Sequence, residues 1–317
     1  MSKGTIVFTD QTHDYLAEKL QNEGFDCAFR FKDSREDIER DLHKYVGLVC
    51  KSRIPINRSF LEFGKNLKFV ARAGVGVEHI DIEAAKDFGI SVLKSPEGSR
   101  DAVGEHTIGM LLGLMNNLMR AHVQVRQKQW IRKPNTGVEL KGKTVGILGY
   151  GNMGNAFAKR LTGFGCEVIA YDKYKSNYGD QYAAEVRLDE LFEKADVLSI
   201  HIPYEGGNHY FVNEEFISSF QKDIWLVNTA RGLVLETHAL VNALESGKVQ
   251  GAALDVIEYE EMSFDNFTFD NLPAPLEYLL QADNVVLAPH IAGWSEESYE
   301  GHARVLADKI LAFMKMN

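Results

Sequence analysis

Three side chains stand where strand-like apolar runs give way to loops. Arg231 follows the run 224–229, in the segment Asn228-Thr-Ala-Arg-Gly232. Glu260 follows the run 252–256, and His290 follows the run 285–289. Their chemistry is complementary. A guanidinium can fork onto a carboxylate and an adjacent keto oxygen. An imidazole can move a proton near neutral pH. A carboxylate held against that imidazole raises its pKa and fixes its orientation. Each residue also has an ordinary reading: a surface salt bridge for Arg231, a solvated loop for Glu260, a capped core residue for His290. Spacing by itself leaves both sets of readings open.

A second chemistry-bearing stretch lies upstream. The apolar run Val145–Leu148 enters Gly149, Tyr150, Gly151, Asn152, Met153 and Gly154, which fit G-x-G-x-x-G, and a helical pattern follows. In such a turn Gly149 allows the tight bend, Gly151 lets backbone approach a pyrophosphate, and Gly154 lets helix and strand pack closely. The helix N-terminus presents N–H groups and a positive dipole end to the phosphates. A second strand-like run ends on Asp172, 18 residues past Gly154, placed to accept hydrogen bonds from both ribose hydroxyls of an adenosine. Strand, glycines, helix, strand and acid in that order predict a dinucleotide site.

The elements that must position these groups alternate along the chain. Strand patterns at 5–9, 26–31, 46–52, 68–73 and 90–94 are separated by helical patterns at 13–23, 35–42 and 82–88. From Lys143, strands are expected at 144–149, 167–172, 197–202, 224–229, 252–256 and 285–289, with helices at 188–192 and 238–246. The alternation predicts two α/β domains with parallel sheets and helices on both faces. Between them lie a turn-rich hinge at 95–101 and one long helix, 102–129, broken at Lys133-Pro134. The stretch 259–283 reads as an extended surface loop with one or two helical turns, and a last helix spans 296–314. In the first domain two loops follow strands: Lys51, Ser52 and Arg53, then Ala73, Gly74 and Val75. Ligands in open α/β sheets bind beyond the carboxyl ends of the strands, and glycines there let N–H groups face an anion. A plain turn at Gly74 and Gly76 is the competing reading.

Composition narrows the partners. With 317 residues, two domains are expected. A net charge of −10 argues against nucleic acid, while a local cluster of Arg and Lys can still bind a small anion. The three cysteines, Cys27, Cys50 and Cys166, show no metal spacing and read as buried free thiols of a reducing, cytoplasmic compartment. No signal-peptide pattern opens the chain, and no apolar tract is long enough to span a bilayer.

Asn228-Thr-Ala-Arg-Gly232, Gly251-Ala-Ala-Leu-Asp-Val256 and Pro289-His-Ile-Ala-Gly293 closely resemble signatures of the D-isomer-specific 2-hydroxyacid dehydrogenases. So do Gly74-Val-Gly-Val-Glu-His-Ile-Asp81, Glu105-His-Thr107 and Leu140-Lys-Gly-Lys-Thr-Val-Gly-Ile-Leu-Gly149, the matches running from about 46 to 294. The resemblance implies a Rossmann NAD-binding domain, 99–293, inserted into a flavodoxin-like substrate domain made of 1–98 and 294–317. It implies that Arg231 binds the substrate carboxylate and carbonyl, and that Glu260 pairs with His290, which exchanges the proton of the keto oxygen. Gly74 and Val75 would offer N–H groups to the carboxylate. Val103 and Thr107 would line the nicotinamide, Asp255 would hold its carboxamide, and His201, Ile202 and Pro203 would pass beside the adenine, with Thr229 also in the cofactor site.

The chain departs from the family pattern at Glu261, where proline is usual, at Gly104, where alanine is usual, and at Arg100 and Asp101. The loop from Glu260 to His290 is longer than in most relatives. Lys51, Ser52 and Arg53 match the basic segment of members acting on 3-phosphoglycerate, with Arg72 in the next loop. D-3-phosphoglycerate/3-phosphohydroxypyruvate is therefore the expected substrate pair, ahead of glyoxylate, hydroxypyruvate or another unphosphorylated acid. The chain stops without the regulatory domain of some such enzymes, so feedback by serine through it is not expected. A nucleotide-sensing corepressor is the rival class. Asp172 favours NAD over NADP, and the apolar face 103–119 matches a helix that forms a two-fold dimer interface in relatives.

Overall fold

The computed structural model describes residues 2–205, 207–260 and 272–316. The chain forms two compact units, Met1–Arg100 with Trp294–Asn317, and Asp101–Gly293.

In the first unit five strands, β1 (Thr5–Phe8), β2 (Asp26–Phe29), β3 (Gly47–Cys50), β4 (Phe69–Arg72) and β5 (Ser91–Lys94), lie in the order β2-β1-β3-β4-β5. Every pairing is parallel, and this is the order of flavodoxin-like sheets. All four residues of β3 are buried, because helices cover both faces and a central parallel strand meets only apolar neighbours. On one face Phe8, Leu16, Leu20 and Phe69 pack with Leu306 and Ile310 of the last helix. Ile38, Leu42, Phe60 and Ala84 fill the other. The last helix, Glu296–Met316, is thus part of the first unit's core although it is far away in sequence. Helix starts are fixed by side-chain caps: Ser34, Asn57 and Asp81 each accept a hydrogen bond from an N–H of the first turn.

The second unit holds β6 (Thr144–Leu148), β7 (Glu167–Tyr171), β8 (Ala184–Glu185), β9 (Val197–Ile200), β10 (Ile224–Asn228), β11 (Val249–Leu254) and β12 (Val285–Leu287). They form one parallel sheet in the order β12-β11-β10-β9-β6-β7-β8. Counted from β6, this is the dinucleotide-binding order 3-2-1-4-5-6 with one further edge strand. Its two faces are closed by separate apolar clusters, one around Leu226, Leu240 and Phe216, the other around Val145, Phe157 and Leu111.

The structure departs from expectation in four places. The single helix expected over 102–129 is two, Arg100–Met115 and Leu118–Arg126. Asn117 enters the left-handed region at φ 53, which Asn tolerates better than most residues. Its amide donates to Thr136 O, and Val138 N donates to Met115 O. The apolar face divides with the helix. Val103, Leu111, Leu114 and Met115 are buried, whereas no residue of Leu118–Arg126 is, with Leu118, Met119, Val123 and Val125 about half exposed. The edge strand β8 was not expected, whereas the one or two helical turns expected within 259–283 are the helix Ala274–Gln281, seated by buried Leu276 and Leu279; residues 261–271, Glu261 among them, lie outside the described residues. The run expected to start at 252 starts at Val249. The cysteines are unbonded, but only Cys50 is fully buried. Burial raises all three thiols, Cys27 to about 11 and Cys50 to about 12, so they stay protonated. No described helix is long and apolar enough to cross a membrane, and no described cluster of His, Cys, Asp or Glu could hold a metal ion.

Candidate active site

In the second unit three loops at strand carboxyl ends lock together. After β10, fully buried Asn228 accepts from Ala230 N at 3.0 Å and donates to Arg231 O at 3.0 Å, which fixes the path of the chain into Arg231. Arg231 donates from Nη1 to Ala230 O at 2.7 Å. Gly232 presses on the loop after β11: a Cβ there would sit 2.0 Å from Ile257 O. That loop carries Glu260, whose Oε1 accepts from Ile257 N at 3.2 Å. Oε2 lies 2.7 Å from His290 Nδ1. One carboxylate oxygen is anchored on its own loop and the other on the imidazole, and both side chains are mostly shielded.

His290 itself has φ 56. A left-handed backbone costs a residue with a Cβ about 1–3 kcal/mol, and such strain clusters at functional sites. With the Nδ1 proton directed at Glu260, Nε2 is the nitrogen at which a proton can be gained or lost. The loops therefore bring together a carboxylate–imidazole pair beside a guanidinium-bearing loop, a set able to grip a carboxylate and exchange a proton. Sequence reasoning assigned Asp255 to a ligand contact. Here its side chain has no exposed surface, and its two oxygens accept from Ile291 N and Ala292 N at 2.9 and 2.8 Å.

The glycine turn after β6 has the shape a dinucleotide requires. Gly149 has φ 93, and a Cβ on it would meet Ile202 at 2.7 Å. A Cβ on Gly154 would lie 2.2 Å from Gly149 O, so only glycine lets the helix Asn152–Arg160 approach the turn. Gly151 faces open space, with nothing within 4 Å of a built Cβ, at the N-terminal end of that helix, where N–H groups lack intrahelical partners. Asn152 is exposed and Met153 half-buried. Asp172 is held at the end of β7 by Tyr150 N on Oδ2 and Tyr174 N on Oδ1, both at 3.0 Å, and each oxygen keeps a second lone pair. These features fit a dinucleotide, with the helix start for phosphates and Asp172 for an adenosine ribose.

Other expected cofactor contacts turn inward. The Tyr150 ring is buried and its hydroxyl donates to Asp180 at 2.8 Å. The His201 ring packs 5.4 Å from Phe157 with Nε2 2.8 Å from Ser199 Oγ. Burial pushes its pKa down to about 3 and keeps it neutral. Its carbonyl, not its ring, runs beneath Gly149. Pro203 O accepts from Asn208. Thr107 is fully buried, donating to Val103 O at 2.6 Å and lying 3.0 Å from Thr229 Oγ1. Val103 is only 6% exposed. Thr107 and Thr229 tie the helix Arg100–Met115 to the end of β10, so this pair is internal bracing and not an open lining. Gly104 has a physical reason: a Cβ would stand 2.9 Å from Ala156 O, where that helix meets the helix Asn152–Arg160. Asp101 and Glu105 then both accept from Arg160 Nη2.

In the first unit two groups expected to face a ligand have partners within the protein. Arg53 was read as a ligand cation, yet its Nε and Nη2 donate to Thr9 O, Nη2 also to Arg30 O, and Nη1 to Asp33 O. Gly74 N, read as facing an anion, donates to Arg72 O at 2.9 Å and to Ser95 Oγ at 3.1 Å. Arg72 curls over this loop and donates from Nε to Gly76 O at 3.0 Å and from Nη1 to Ala73 O at 2.5 Å. Val75 and Ser52 are half-buried. Lys51 Nζ lies 5.0 Å from the Tyr299 ring centroid, and burial lowers its pKa, with Arg72 adding to the effect. Ser95, His302 and Asp10 were not singled out from sequence. Ser95 and His302 join through Ser95 Oγ and His302 Nδ1 at 3.0 Å, a contact across 207 positions that no local pattern announces. Asp10 stands at the end of β1 and accepts from Lys51 N at 3.0 Å; the strand-end rule applied to β3 and β4 would have found it.

Residues 108–292 match the D-isomer specific 2-hydroxyacid dehydrogenase, NAD binding domain. Among curated proteins, the hydroxypyruvate reductase of Thermotoga maritima is 38% identical over 87% of this chain and 88% of its own length. The D-3-phosphoglycerate dehydrogenase of Archaeoglobus fulgidus is 32% identical over 98% of this chain, which spans only 57% of that protein. The solved D-lactate dehydrogenase of Aquifex aeolicus, complexed with NAD and lactic acid, superposes with a TM-score of 0.81 at 30% identity, covering 98% of this chain and 95% of that one. The parallel order of the second sheet, its glycine turn ending on Asp172 and the family match over the same residues lead to one assignment: the chain belongs to the D-isomer specific 2-hydroxyacid dehydrogenases, NAD-dependent oxidoreductases.

Proposed function

We propose that the chain catalyses reversible hydride transfer between NAD(H) and the C2 atom of a small D-2-hydroxy acid or 2-keto acid. The observation that carries this is the 2.7 Å contact between Glu260 and His290 on loops braced against Arg231. Arg231 binds the substrate carboxylate. His290 gives a proton to the keto oxygen during reduction and takes it back during oxidation, while Glu260 fixes the ring through Nδ1. The bound nicotinamide supplies or receives the hydride. The start of the helix Asn152–Arg160 holds the pyrophosphate, and Asp172 takes the adenosine ribose and repels a 2′-phosphate. Lys175 donates to Tyr150 O at 2.7 Å, so this cation is engaged by the backbone of the turn itself. NAD is therefore preferred to NADP.

For substrate we favour an unphosphorylated acid such as hydroxypyruvate or glyoxylate, reversing the order read from sequence. Arg53 is engaged by three backbone carbonyls and is not left to meet a phosphate. Phosphohydroxypyruvate is the second reading, supported by Lys51 and Arg72, which are close enough for Arg72 to lower the Lys51 pKa. We also propose a homodimer, formed through the exposed apolar face of Leu118–Arg126 with Trp130 and Ile131.

The test is absorbance of NADH and of NADPH with glyoxylate, hydroxypyruvate, pyruvate and phosphohydroxypyruvate side by side. Turnover with NADH and hydroxypyruvate or glyoxylate is expected. No turnover with any acid favours a nucleotide-sensing protein, and a clear advantage for phosphohydroxypyruvate restores the phosphate reading.

A further inference from the structure

His290 stands in a backbone region that residues with a Cβ avoid, and the bonds that keep it there converge on one residue. Asp255, which directly follows β11, accepts His290 N on its carbonyl at 2.8 Å. Its Oδ1 accepts Ile291 N at 2.9 Å and its Oδ2 accepts Ala292 N at 2.8 Å. Three successive N–H groups are thus gripped by one buried residue. Behind it, on the helix Arg100–Met115, His106 Nε2 lies 3.3 Å from Oδ1. That nitrogen has no aligned hydrogen-bond partner, so the contact is one of proximity and packing, not a directed bond. The segment that carries Asp255 also carries Glu260. It holds His290 twice, by the backbone through Asp255 and by the ring through Glu260.

We propose that Asp255 is the positioning residue of His290: its carbonyl and both carboxylate oxygens clamp the 290–292 turn in its left-handed form and so seat the imidazole on Glu260, with His106 packed behind the carboxylate. Asp255 touches no reacting atom and works through His290; this rests on the acid–base reading of His290 above. The chemistry requires a carboxylate. An amide of the same shape offers one oxygen and one NH2, and the NH2 would face a backbone N–H, leaving one donor of the turn unpaired.

The experiment uses the full-length protein and Asp255→Asn. A proton held between Nδ1 and a carboxylate gives a far-downfield ¹H NMR signal, assigned here by its loss in His290→Gln. In Asp255→Asn that signal is expected to vanish or move, and kcat to fall on the order of 100-fold while KM barely changes. A signal left in its wild-type position overturns the proposal. So does a loss of NADH affinity with the signal intact, which would make Asp255 a cofactor contact. If Asp255→Asn does not fold, amide exchange in the wild-type protein decides: slow exchange at 290, 291 and 292 supports the clamp, and exchange at open-loop rates overturns it. These signals exist without substrate, so a wild-type protein that reduces no 2-keto acid would remove the acid–base reading while still reporting on the clamp.

Discussion

The two sheets share one design and treat the same place in opposite ways. Each reverses its strand order once, between β1 and β3 in the first unit and between β6 and β9 in the second, and such reversals open a crevice at the strand carboxyl ends. In the second unit the crevice is kept clear: Gly151 faces open space and the His201 ring is turned into the core. In the first it is filled. Asp10 accepts from Thr9 Oγ1 and Lys51 N, and the Arg53 guanidinium spans the carbonyls of Thr9, Arg30 and Asp33. The polar groups nearby are also partly desolvated: burial pushes His79 down to about 4 and lowers Lys51 and His302. Topology makes a crevice available, and loop chemistry decides whether anything can enter it.

The contrast is tested most severely where the second unit's loops meet. His290→Ala removes the proton-exchanging group, and kcat for 2-keto acid reduction is expected to fall on the order of 100-fold or more. Glu260→Gln keeps the size of the side chain but not its charge, so a smaller loss is expected. Steady-state kinetics on the three proteins checks this order, and an unaffected His290→Ala would dissolve the site as drawn.

Gly232→Ala asks whether the Arg231 loop depends on its seat. The added methyl would stand 2.0 Å from a backbone oxygen, Ile257 O, and neither chain segment is a flexible side-chain end that could step aside. The loop must move, carrying Arg231 with it. A rise in KM for the keto acid together with a loss of roughly 10- to 100-fold in kcat/KM is expected, since displacements near 1 Å have effects of that order. NADH affinity, measured by fluorescence titration, should stay nearly unchanged because the glycine turn lies on another loop. Equal losses in both would mean that the unit, not the loop, is disturbed.

What sequence made legible follows from how local each signal is. All strands but β8 were readable, because a parallel strand covered on both faces is a short apolar run, as in β3 and β9, whereas the two residues of edge strand β8 are both exposed. The glycine turn was legible through motif order, and the pairing of Glu260 with His290 through the family resemblance. Side-chain direction was not. His201, Tyr150 and Thr107 stand at the expected positions on the chain, but their side chains are drawn inward by Ser199, Asp180 and Thr229. Those partners are set by packing that spacing does not encode. The helix break at Asn117 was missed because apolar periodicity continues across it, and only the left-handed backbone and the contact to Thr136 reveal it. The backbone bonds of Arg53 were not legible for a related reason: a basic residue at a strand end looks the same in sequence whether it faces a ligand or its own backbone.

Arg53→Ala therefore gives the smallest expected effect on catalysis and the sharpest statement about the first unit. Its guanidinium joins the ends of β1 and β2 and the turn at Asp33, all within one unit. Hydrogen bonds from a charged donor contribute about 1.5–3 kcal/mol when shielded. Arg53 is exposed, so solvent screening reduces that to roughly 1 kcal/mol. A loss of unfolding free energy of that size, read from denaturant titration, is expected, with kcat/KM for hydroxypyruvate nearly unchanged. Lys51→Ala is the paired control, because its ammonium lies over Tyr299 with no backbone carbonyl bonded to Nζ among the described contacts. If Arg53→Ala left stability untouched and selectively impaired turnover of phosphohydroxypyruvate, Arg53 would be a ligand cation. The closed crevice of the first unit would then have to open in solution.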